Sequence, residues 1–347
     1  MIDISHRDTV QPFTSMKHFP KIDLHRHLEG SVEPETLLTI ASKWGGKLPA
    51  YELEALRPHI QMTPEQRGFT VFLSKFSVFR GLYTCREAIE YAVCCAVQAA
   101  AADNVKYLEL RYSPSHFAAQ GRFCERDVAH WIHVAMQRTA LSCGIIVVPL
   151  LTISRDYGFE LASSTVDMAL SMPDDYFMGL DIAGNELENP ADPFAVLFEK
   201  FRARGRGLSI HAGEVSSHAH VRQAVVQFGA RRIGHGISAA KDPNLMCLLR
   251  DRDVLLEICL TSNVHTEAVP CIREHPVCDL ARNGVACCLN TDDPAISAIT
   301  LSHEYELAVA ELGCSEAFLH EMNRVALRHA FHPDQAWLQK KIGHYWQ

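Results

Sequence analysis

A short apolar run that ends in polar residues recurs eight times along the chain, and this repetition limits the possible folds more than any other feature. Segments with helical periodicity lie between the runs, among them Cys85–Ala102 and Asp127–Ser142. Alternation of buried strands with helices indicates parallel β/α units. Eight such units over about 250 residues or more are typical of a (β/α)₈ TIM barrel, an α/β fold. The runs are Lys21–His25, Val105–Arg111, Ile145–Ile153, Phe177–Ile182, Leu208–His211, Arg232–His235, Val254–Cys259 and Val285–Asn290.

A doubly wound open sheet is the alternative that the same alternation allows. Such a sheet usually has a Gly-rich loop after its first strand, whereas the first run here is followed by Arg26-His-Leu-Glu-Gly. We therefore predict a barrel that occupies residues 1–347 as one domain. Residues 31–84 are expected to form a helical insertion after strand one, and residues 300–347 to form extra C-terminal helices outside the barrel.

The composition excludes several kinds of partner. Lys and Arg number 33 against 41 Asp and Glu, and a net charge of −8 argues against a nucleic-acid-binding surface. No run reaches the roughly 18 apolar residues of a membrane helix, and the N-terminus lacks the basic and apolar regions of a signal peptide. The twelve cysteines are scattered without a C-x-x-C motif, which favours reduced thiols in a cytoplasmic protein. We expect a monomer or a weak homo-oligomer.

Chemically reactive residues crowd the ends of four predicted strands. His25 and His27 are two residues apart, so an extended backbone directs both imidazoles to one face. The fifth run ends in His211-Ala-Gly-Glu214, the sixth in Gly-His235-Gly, and the eighth in Asn290-Thr-Asp-Asp-Pro294. Each motif alone is a weak signal, because nineteen histidines are spread through the chain. Together they predict an active site, since catalytic groups of a barrel lie at the C-terminal ends of several strands.

This collection of ligands also predicts a metal and a reaction class. Three imidazoles and one carboxylate around an open position suit Zn²⁺. A bound metal ion lowers the pKa of water towards neutrality. A carboxylate and a histidine beside that water can take and direct its proton, and a second carboxylic acid can protonate the leaving side. The expected reaction is hydrolysis of a C–N or related polar bond.

Six motifs in one order make the sequence resemble the adenosine deaminase family, which belongs to the amidohydrolase superfamily of barrels. The resemblance covers roughly residues 18–335 and is highly specific. The motifs are Pro20-Lys-Ile-Asp-Leu-His-Arg-His-Leu-Glu-Gly30, Asp181-Ile-Ala-Gly-Asn-Glu186, His211-Ala-Gly-Glu214, Arg232-Ile-Gly-His-Gly236, Thr261-Ser-Asn263 and Asn290-Thr-Asp-Asp-Pro294.

The resemblance implies a role for each matching residue. One Zn²⁺ per chain would be bound by His25, His27, His211 and Asp292. Asp292 and His235 would position and deprotonate the attacking water.

Other residues would bind the purine. Glu214 would be protonated and donate to N1, Asp293 would hydrogen-bond N7, and the backbone N–H of Gly184 would meet N3. Residues 69–79 resemble the helix that covers the pocket in this family, with Phe72 and Phe76 on one face over the purine and ribose; ordinary core packing is the alternative.

Two departures from the family pattern concern the substrate. Glu29 stands where the family usually has an Asp that contacts the ribose 5′-hydroxyl, and Asn185 replaces another Asp. The resemblance implies hydrolytic deamination of adenosine or 2′-deoxyadenosine to inosine or 2′-deoxyinosine and ammonia, a purine salvage reaction.

Four other functions are alternatives. One is deamination of adenine or of a 5′-modified adenosine such as 5′-methylthioadenosine. AMP is disfavoured because no Lys/Arg cluster lies near strand one, although Arg26 is unexplained. A non-catalytic binding protein would be expected to have lost a ligand or the acid. A zinc phosphoesterase would need further metal ligands that the sequence does not supply.

Overall fold

Eight parallel strands, each paired with the next one in the chain, form the centre of the molecule. The computed structural model describes residues 15–118 and 122–347. The predicted (β/α)₈ barrel is confirmed, and each strand begins and ends within two residues of a predicted run. The strands are β1 (Lys21–His27), β2 (Val105–Tyr112), β3 (Ile146–Ser154), β4 (Gly179–Ala183), β5 (Gly207–Ala212), β6 (Arg232–His235), β7 (Leu255–Ile258) and β8 (Ala286–Leu289).

The helices surround the strands, and several begin at side chains that satisfy free backbone N–H groups. Asp242, for example, accepts hydrogen bonds from the N–H groups of Asn244 and Leu245 at the start of one helix. Within the described ranges the α-helices are α1 (Pro34–Trp44), α2 (Leu53–Ile60), α3 (Phe69–Ser74), α4 (Phe76–Phe79), α5 (Arg86–Ala102), α6 (Pro114–Phe117), α7 (Glu125–Cys143), α8 (Gly158–Leu170), α9 (Ala195–Arg202), α10 (His218–Val226), α11 (Pro243–Asp251), α12 (Leu260–His265), α13 (Val277–Arg282), α14 (Pro294–Ser297), α15 (Leu301–Ala310), α16 (Glu316–His329) and α17 (Gln335–Ile342).

Strand β1 contains a bulge that determines what its upper half presents to the barrel. Asp23 pairs with Leu108 and Arg26 with Leu110, so β1 uses one more residue than β2 over this interval. Before the histidines, Ile22 and Leu24 pack in the same apolar cluster as residues of other strands. The imidazoles of His25 and His27, which follow these apolar residues in β1, also face the barrel interior.

The barrel closes where the last strand meets the first. The backbone N–H of Asp292 donates to the carbonyl of His25, and the N–H of His27 donates to the carbonyl of Asp292. The Arg26 guanidinium reinforces this contact from a buried position, because its Nε donates to Asp23 at 2.9 Å and to Thr291 at 3.0 Å. Arg26, unexplained by the sequence, therefore has a structural place at the seam.

The two additions to the barrel lie at its two ends. Helices α1–α4 of the insertion precede α5, and α3 and α4 reach the C-terminal end of the strands. The C-terminal helices and Trp346 pack with Ile22 and Leu24 in the apolar cluster at the opposite end. No helix in the described ranges has both the length and the apolar character that crossing a membrane requires.

Candidate active site

The predicted metal ligands come together from β1, β5 and the loop after β8. One nitrogen or oxygen atom from each of His25, His27, His211 and Asp292 lies within 4.8 Å of the corresponding atoms of the others. His25 Nε2 is 3.2 Å from Asp292 Oδ1, and the Nε2 atoms of His27 and His211 are 3.3 Å apart. His25 Nε2 is fully buried yet has no hydrogen-bond partner. A ring nitrogen left in this state among three other ligands fits a metal ion.

Two carboxylates orient the imidazoles of His25 and His211 by binding the Nδ1 atom of each ring. His25 Nδ1 lies 2.7 Å from Glu257 Oε2, and His211 Nδ1 lies 2.8 Å from Asp181 Oδ1. Each carboxylate accepts a hydrogen bond from Nδ1 and so leaves Nε2 free to bind a metal, as carboxylate–histidine pairs do in metal sites. Asp181 occurs in one of the six motifs, but sequence reasoning assigned this role to neither residue.

Buried arginine side chains inside the barrel form ion pairs with these two carboxylates. Glu257 accepts hydrogen bonds from Arg111 Nη2 at 2.8 Å, from Arg232 Nε at 2.6 Å and from Ser209 Oγ at 3.0 Å. Arg111 also lies 3.2 Å from Asp181. Burial alone would raise the pKa of Glu257, but Arg111, Arg232 and His25 hold it well below its usual value. Both carboxylates are therefore ionised.

Asp292 and His235 have unusual backbones. Both have a φ near +60°, a left-handed conformation that non-glycine residues adopt rarely and that is often found at functional sites. Asp292 Oδ2 accepts a hydrogen bond from Ser262 Oγ at 2.7 Å. Burial acts to raise the pKa of Asp292, yet the surrounding imidazoles, His25 first, lower it well below the usual range. Asp292 is therefore an ionised carboxylate whose second oxygen remains an acceptor.

Glu214 is a buried carboxyl beside this cluster. Its Oε1 accepts a hydrogen bond from Thr266 Oγ1 at 2.9 Å, and its Oε2 lies 3.7 Å from His235 Nε2. Burial, followed by the charges of Asp292 and Glu186, raises the pKa of Glu214 well above its usual value. The raised pKa favours the protonated carboxyl, which can act as an acid.

The loop that holds Glu214 is organised by a residue that sequence reasoning left without a role. The carboxylate of Glu186 accepts hydrogen bonds from the backbone N–H groups of Gly213, Val215 and Ser216 and from the Ser216 hydroxyl. These bonds form on both sides of Glu214. The only available signal was the position of Glu186 at the end of a matching motif.

Asp293 follows the ligand Asp292 and lies against the turn after β1. A Cβ at Gly30 would meet Asp293 Oδ1 at 1.8 Å, so only glycine allows this approach. Burial, with the charges of Asp292 and Glu29, raises the pKa of Asp293 well above its usual value. Its Oδ1 is buried without a hydrogen-bond partner. The raised pKa favours a protonated Asp293 carboxyl, which could donate a hydrogen bond to a bound molecule.

A cavity of about 230 Å³ connects these residues. Gly184 lies in its wall with a φ of +100°, and a Cβ there would meet Asp156 Oδ2 at 2.5 Å. Opposite the metal ligands, Phe72 and Phe76 of α3 and α4 line the cavity. The predicted helix over residues 69–79 is thus present as two short helices at the cavity wall. Its role as a cover, and the single-domain description, remain predictions.

One end of the cavity, around Glu29, is polar. Glu29 Oε1 accepts the backbone N–H of Ser113 at 2.7 Å, while its Oε2 is buried without a partner. Burial raises the pKa of Glu29 to about 7. His116 and Arg80 line the same end, and the Arg80 guanidinium lies over the ring of Tyr157 at 4.5 Å. No sequence motif singled out His116 or Arg80, because they lie far apart in the sequence and meet only in the folded chain.

The structure therefore brings together every residue predicted for the site. The shared set is His25, His27, Glu29, Phe72, Phe76, Gly184, His211, Glu214, His235, Asp292 and Asp293. The individual roles of these residues remain predictions.

Fold and site together place the protein among the amidohydrolases, barrel enzymes that cleave polar bonds with water. Comparisons with known proteins narrow the class. A model of the family described as Adenosine deaminase matches residues 20–342. An adenosine deaminase of Vibrio parahaemolyticus is 35% identical over 332 residues, which cover 94% of this chain and 98% of that protein. The chain belongs to the adenosine deaminase family and is a hydrolytic deaminase acting on C–N bonds.

Solved structures show the same fold. The N6-mAMP deaminase of Arabidopsis is 28% identical with a TM-score of 0.82, covering 94% of this chain and 98% of its own. The adenine deaminase of Arthrobacter aurescens is 24% identical with a TM-score of 0.86, covering 94% and 98%. At that identity the second similarity concerns the fold alone.

Proposed function

We propose that the protein is a zinc-dependent deaminase that converts adenosine or 2′-deoxyadenosine into inosine or 2′-deoxyinosine and ammonia. The observation that carries the proposal is the buried Glu214 carboxyl, whose pKa is raised and whose Oε2 lies 3.7 Å from His235 Nε2, beside the ligand cluster. A carboxylic acid next to a site that activates water is the arrangement required to protonate a purine ring nitrogen while water adds to the neighbouring carbon.

The ligand set fits one Zn²⁺ per chain. Three imidazoles with a carboxylate are ligands that zinc accepts, and the unpartnered His25 Nε2 is a nitrogen prepared for a metal. Zinc, when bound, would supply Lewis acidity that makes water a nucleophile at neutral pH.

The other residues would position the purine and move protons. Glu214 would donate to N1, which accepts the proton as the amino-bearing carbon is attacked. Asp293 would donate to N7 and the N–H of Gly184 to N3, since both ring nitrogens are acceptors. The raised pKa of Asp293 supports this assignment, because it favours the protonated form and an ionised carboxylate could not donate. Phe72 and Phe76 would exclude water from the apolar side of the ring.

Glu29 would bind the ribose end. Its free Oε2 can accept a hydrogen bond from the 5′-hydroxyl, while Ser113 holds the other oxygen. Glu29→Asp should change the ratio of kcat/KM between adenosine and 5′-methylthioadenosine, because a shorter side chain withdraws this acceptor. An unchanged ratio would remove Glu29 from recognition of the 5′ group.

A purine nucleoside 5′-monophosphate is a second candidate substrate, and Arg80 is the specific observation in its favour. No basic cluster near strand one was found in the sequence, yet the structure brings this guanidinium from the end of α4 into the cavity wall, with its Nε buried and unpartnered among the described residues. The similar Arabidopsis structure is named for a methylated AMP. Glu29, in the same part of the cavity, favours a neutral hydroxyl instead.

The decisive experiment compares ammonia release from adenosine, adenine, 5′-methylthioadenosine and AMP by the zinc-loaded protein. Adenosine should give the highest kcat/KM. AMP as the best substrate, with Arg80→Met reducing turnover of AMP but not of adenosine, would establish the second candidate. No ammonia from any of the four, with zinc bound, would refute the proposal.

A further inference from the structure

A row of hydrogen bonds runs from a backbone N–H group through the buried side chains of His275 and Asn263 to His235. The N–H of Val277 lies 3.2 Å from Nδ1 of His275. Nε2 of His275 lies 3.1 Å from Oδ1 of Asn263, and Nδ2 of Asn263 lies 3.1 Å from Nδ1 of His235. His275, Asn263 and His235 are at most 4% exposed. None of the roles that the sequence suggested involves His275.

The first member of the row fixes the direction of every hydrogen bond after it. A backbone N–H can only donate, so Nδ1 of His275 must accept and carries no proton. Burial lowers the pKa of His275 to about 3, so its ring is neutral and its single proton is on Nε2. This N–H donates to Oδ1 of Asn263.

The orientation of the Asn263 amide then determines the proton position on His235. With Oδ1 accepting from His275, the amino group of Asn263 donates to Nδ1 of His235, which must also lack a proton. A flipped amide would place two acceptors or two donors opposite each other. The neutral His235 ring therefore carries its proton on Nε2, the nitrogen 3.7 Å from Glu214 Oε2 and 3.9 Å from Asp292 Oδ2.

We propose that His275 and Asn263 are positioning residues that hold His235 in the Nε2–H tautomer, so that His235 donates a hydrogen bond to the attacking water and does not take its proton. The proton that leaves the water oxygen goes to the Asp292 carboxylate as that oxygen bonds to the purine carbon. This assignment differs from the sequence expectation, in which His235 shares in deprotonation. The role in catalysis rests on the proposed function, whereas the tautomer does not.

Neutron diffraction from crystals of the zinc-loaded protein in D₂O tests the tautomer directly and needs no substrate. We expect deuterium on Nε2 of both His235 and His275 and none on their Nδ1 atoms. Deuterium on Nδ1 of His235 would overturn the proposal whether or not the protein deaminates purines. The measurement therefore separates failure of this proposal from failure of the proposed function.

Asn263→Asp tests the catalytic role with a substitution of the same shape. A carboxylate accepts from both imidazoles, so His275 keeps its bond while His235 must move its proton to Nδ1. In ¹⁵N NMR spectra of histidine-labelled protein, the two His235 nitrogens should exchange their pyrrole-type and pyridine-type shifts. We expect kcat to fall about a hundredfold, the size of a lost proton-positioning contribution, while KM changes far less. A reversed tautomer with unchanged kcat would overturn the role of His235 as a donor.

Two substitutions at His275 supply the matched control. His275→Leu removes the donor to Asn263 and should give a mixture of His235 tautomers with reduced kcat. His275→Gln retains an N–H donor and should recover most of both. Equal losses in the two variants would show that His275 acts only through packing.

The carboxylate introduced by Asn263→Asp could also act on Glu214 through its charge. Such an effect would shift the alkaline limb of the pH profile, which distinguishes it from a change of the His235 tautomer.

Discussion

The pKa values of the carboxyl groups in this site are determined by burial and by neighbouring side chains. Burial raises the pKa of Glu214 and Asp293 and so favours their protonated forms. Imidazoles beside Asp292, and guanidinium groups beside Glu257, lower the pKa of these two carboxyls and favour their ionised forms. Four carboxyl groups in one region therefore divide into donors and acceptors. Such a division is how one site obtains acid and base functions at a single pH.

Glu214→Gln should lower kcat by about 10²- to 10⁴-fold, because an amide holds the same space but cannot give up the proton. Metal content should stay at the wild-type level, since Glu214 is not among the four clustered ligands. Ammonia release and metal analysis on one preparation measure both. Near-normal turnover would contradict the acid role.

The pH profile gives a second test of Glu214. Its pKa is raised, so the carboxyl is protonated below that pKa and ionised above it. The activity of wild-type protein should therefore be lost as pH rises through the raised pKa, in an alkaline limb of kcat. Glu214→Gln should lack this limb, and an identical limb in the variant would assign it to another group.

The sequence predicted the residues of the candidate metal and substrate sites better than those that support them. His25 and His27 lie at the end of β1, Asp292 follows β8, and all three belong to recognisable motifs. Glu257 lies inside an apolar run, Leu255-Leu-Glu-Ile258, and its partner Arg111 is 146 positions away. A buried ion pair of this kind has no local pattern, because only closure of the barrel brings its members together.

At the scale of elements, strand β1 shows why side-chain direction could be predicted only in part. The two-residue spacing of His25 and His27 indicated a shared face. Simple alternation below them would turn Ile22 and Leu24 away from the interior, but the bulge between Asp23 and Arg26 turns them inward as well. One extra residue in β1 therefore lets the strand present both apolar side chains and candidate metal ligands to the interior. No residue type in the sequence indicates this bulge.

Helices α3 and α4 belong to the same scale, since they carry the aromatic wall of the cavity. Phe76→Ala should raise KM for adenosine about tenfold with a smaller change in kcat, because it removes apolar contact worth about 1–3 kcal/mol. Phe159→Ala is the matched control, as Phe159 is a partly buried core residue and does not line the cavity. A KM change of equal size in both variants would refute the role of Phe76 in covering the bound purine and ribose.

At the scale of the whole molecule, the C-terminal segment closes the barrel opposite the active site. Phe331 enters between the first residues of β4 and β5, where a Cβ on Gly179 or Gly207 would meet its ring at 2.7 or 2.4 Å. The same ring packs 3.7 Å from the guanidinium of Arg232. The floor of the barrel thus contacts the buried charges that orient the metal ligands.

Gly207→Ala should destabilise the protein by about 1–3 kcal/mol, because the added methyl group overpacks the ring of Phe331. Adding Phe331→Leu to this variant should restore part of the loss. Gly81→Ala serves as the control, since a Cβ there would make only an ordinary contact of 3.5 Å. Free energies of unfolding measured in urea would contradict the packing argument if the first and last variants were equally stable.

Metal removal is a second prediction at this scale, because the four ligands come from β1, β5 and the loop after β8. Chelation should abolish ammonia release and lower the melting temperature. One equivalent of Zn²⁺ should restore both, since a ligand present at a hundred times its Kd stabilises the fold by about 2.7 kcal/mol. His211→Ala should bind less metal, and full zinc occupancy in this variant would remove His211 from the ligand set.

The seam between β8 and β1 has a consequence for how the chain matures. The backbone bonds that join His25 and His27 to Asp292 close the barrel and, in the same contact, bring the last ligand to the first two. A ribosome must therefore deliver the chain as far as Asp292 before all four clustered side chains can come together. In shorter chains the histidines lack both the carboxylate and the seam, so assembly of the complete candidate metal site would follow synthesis of β8.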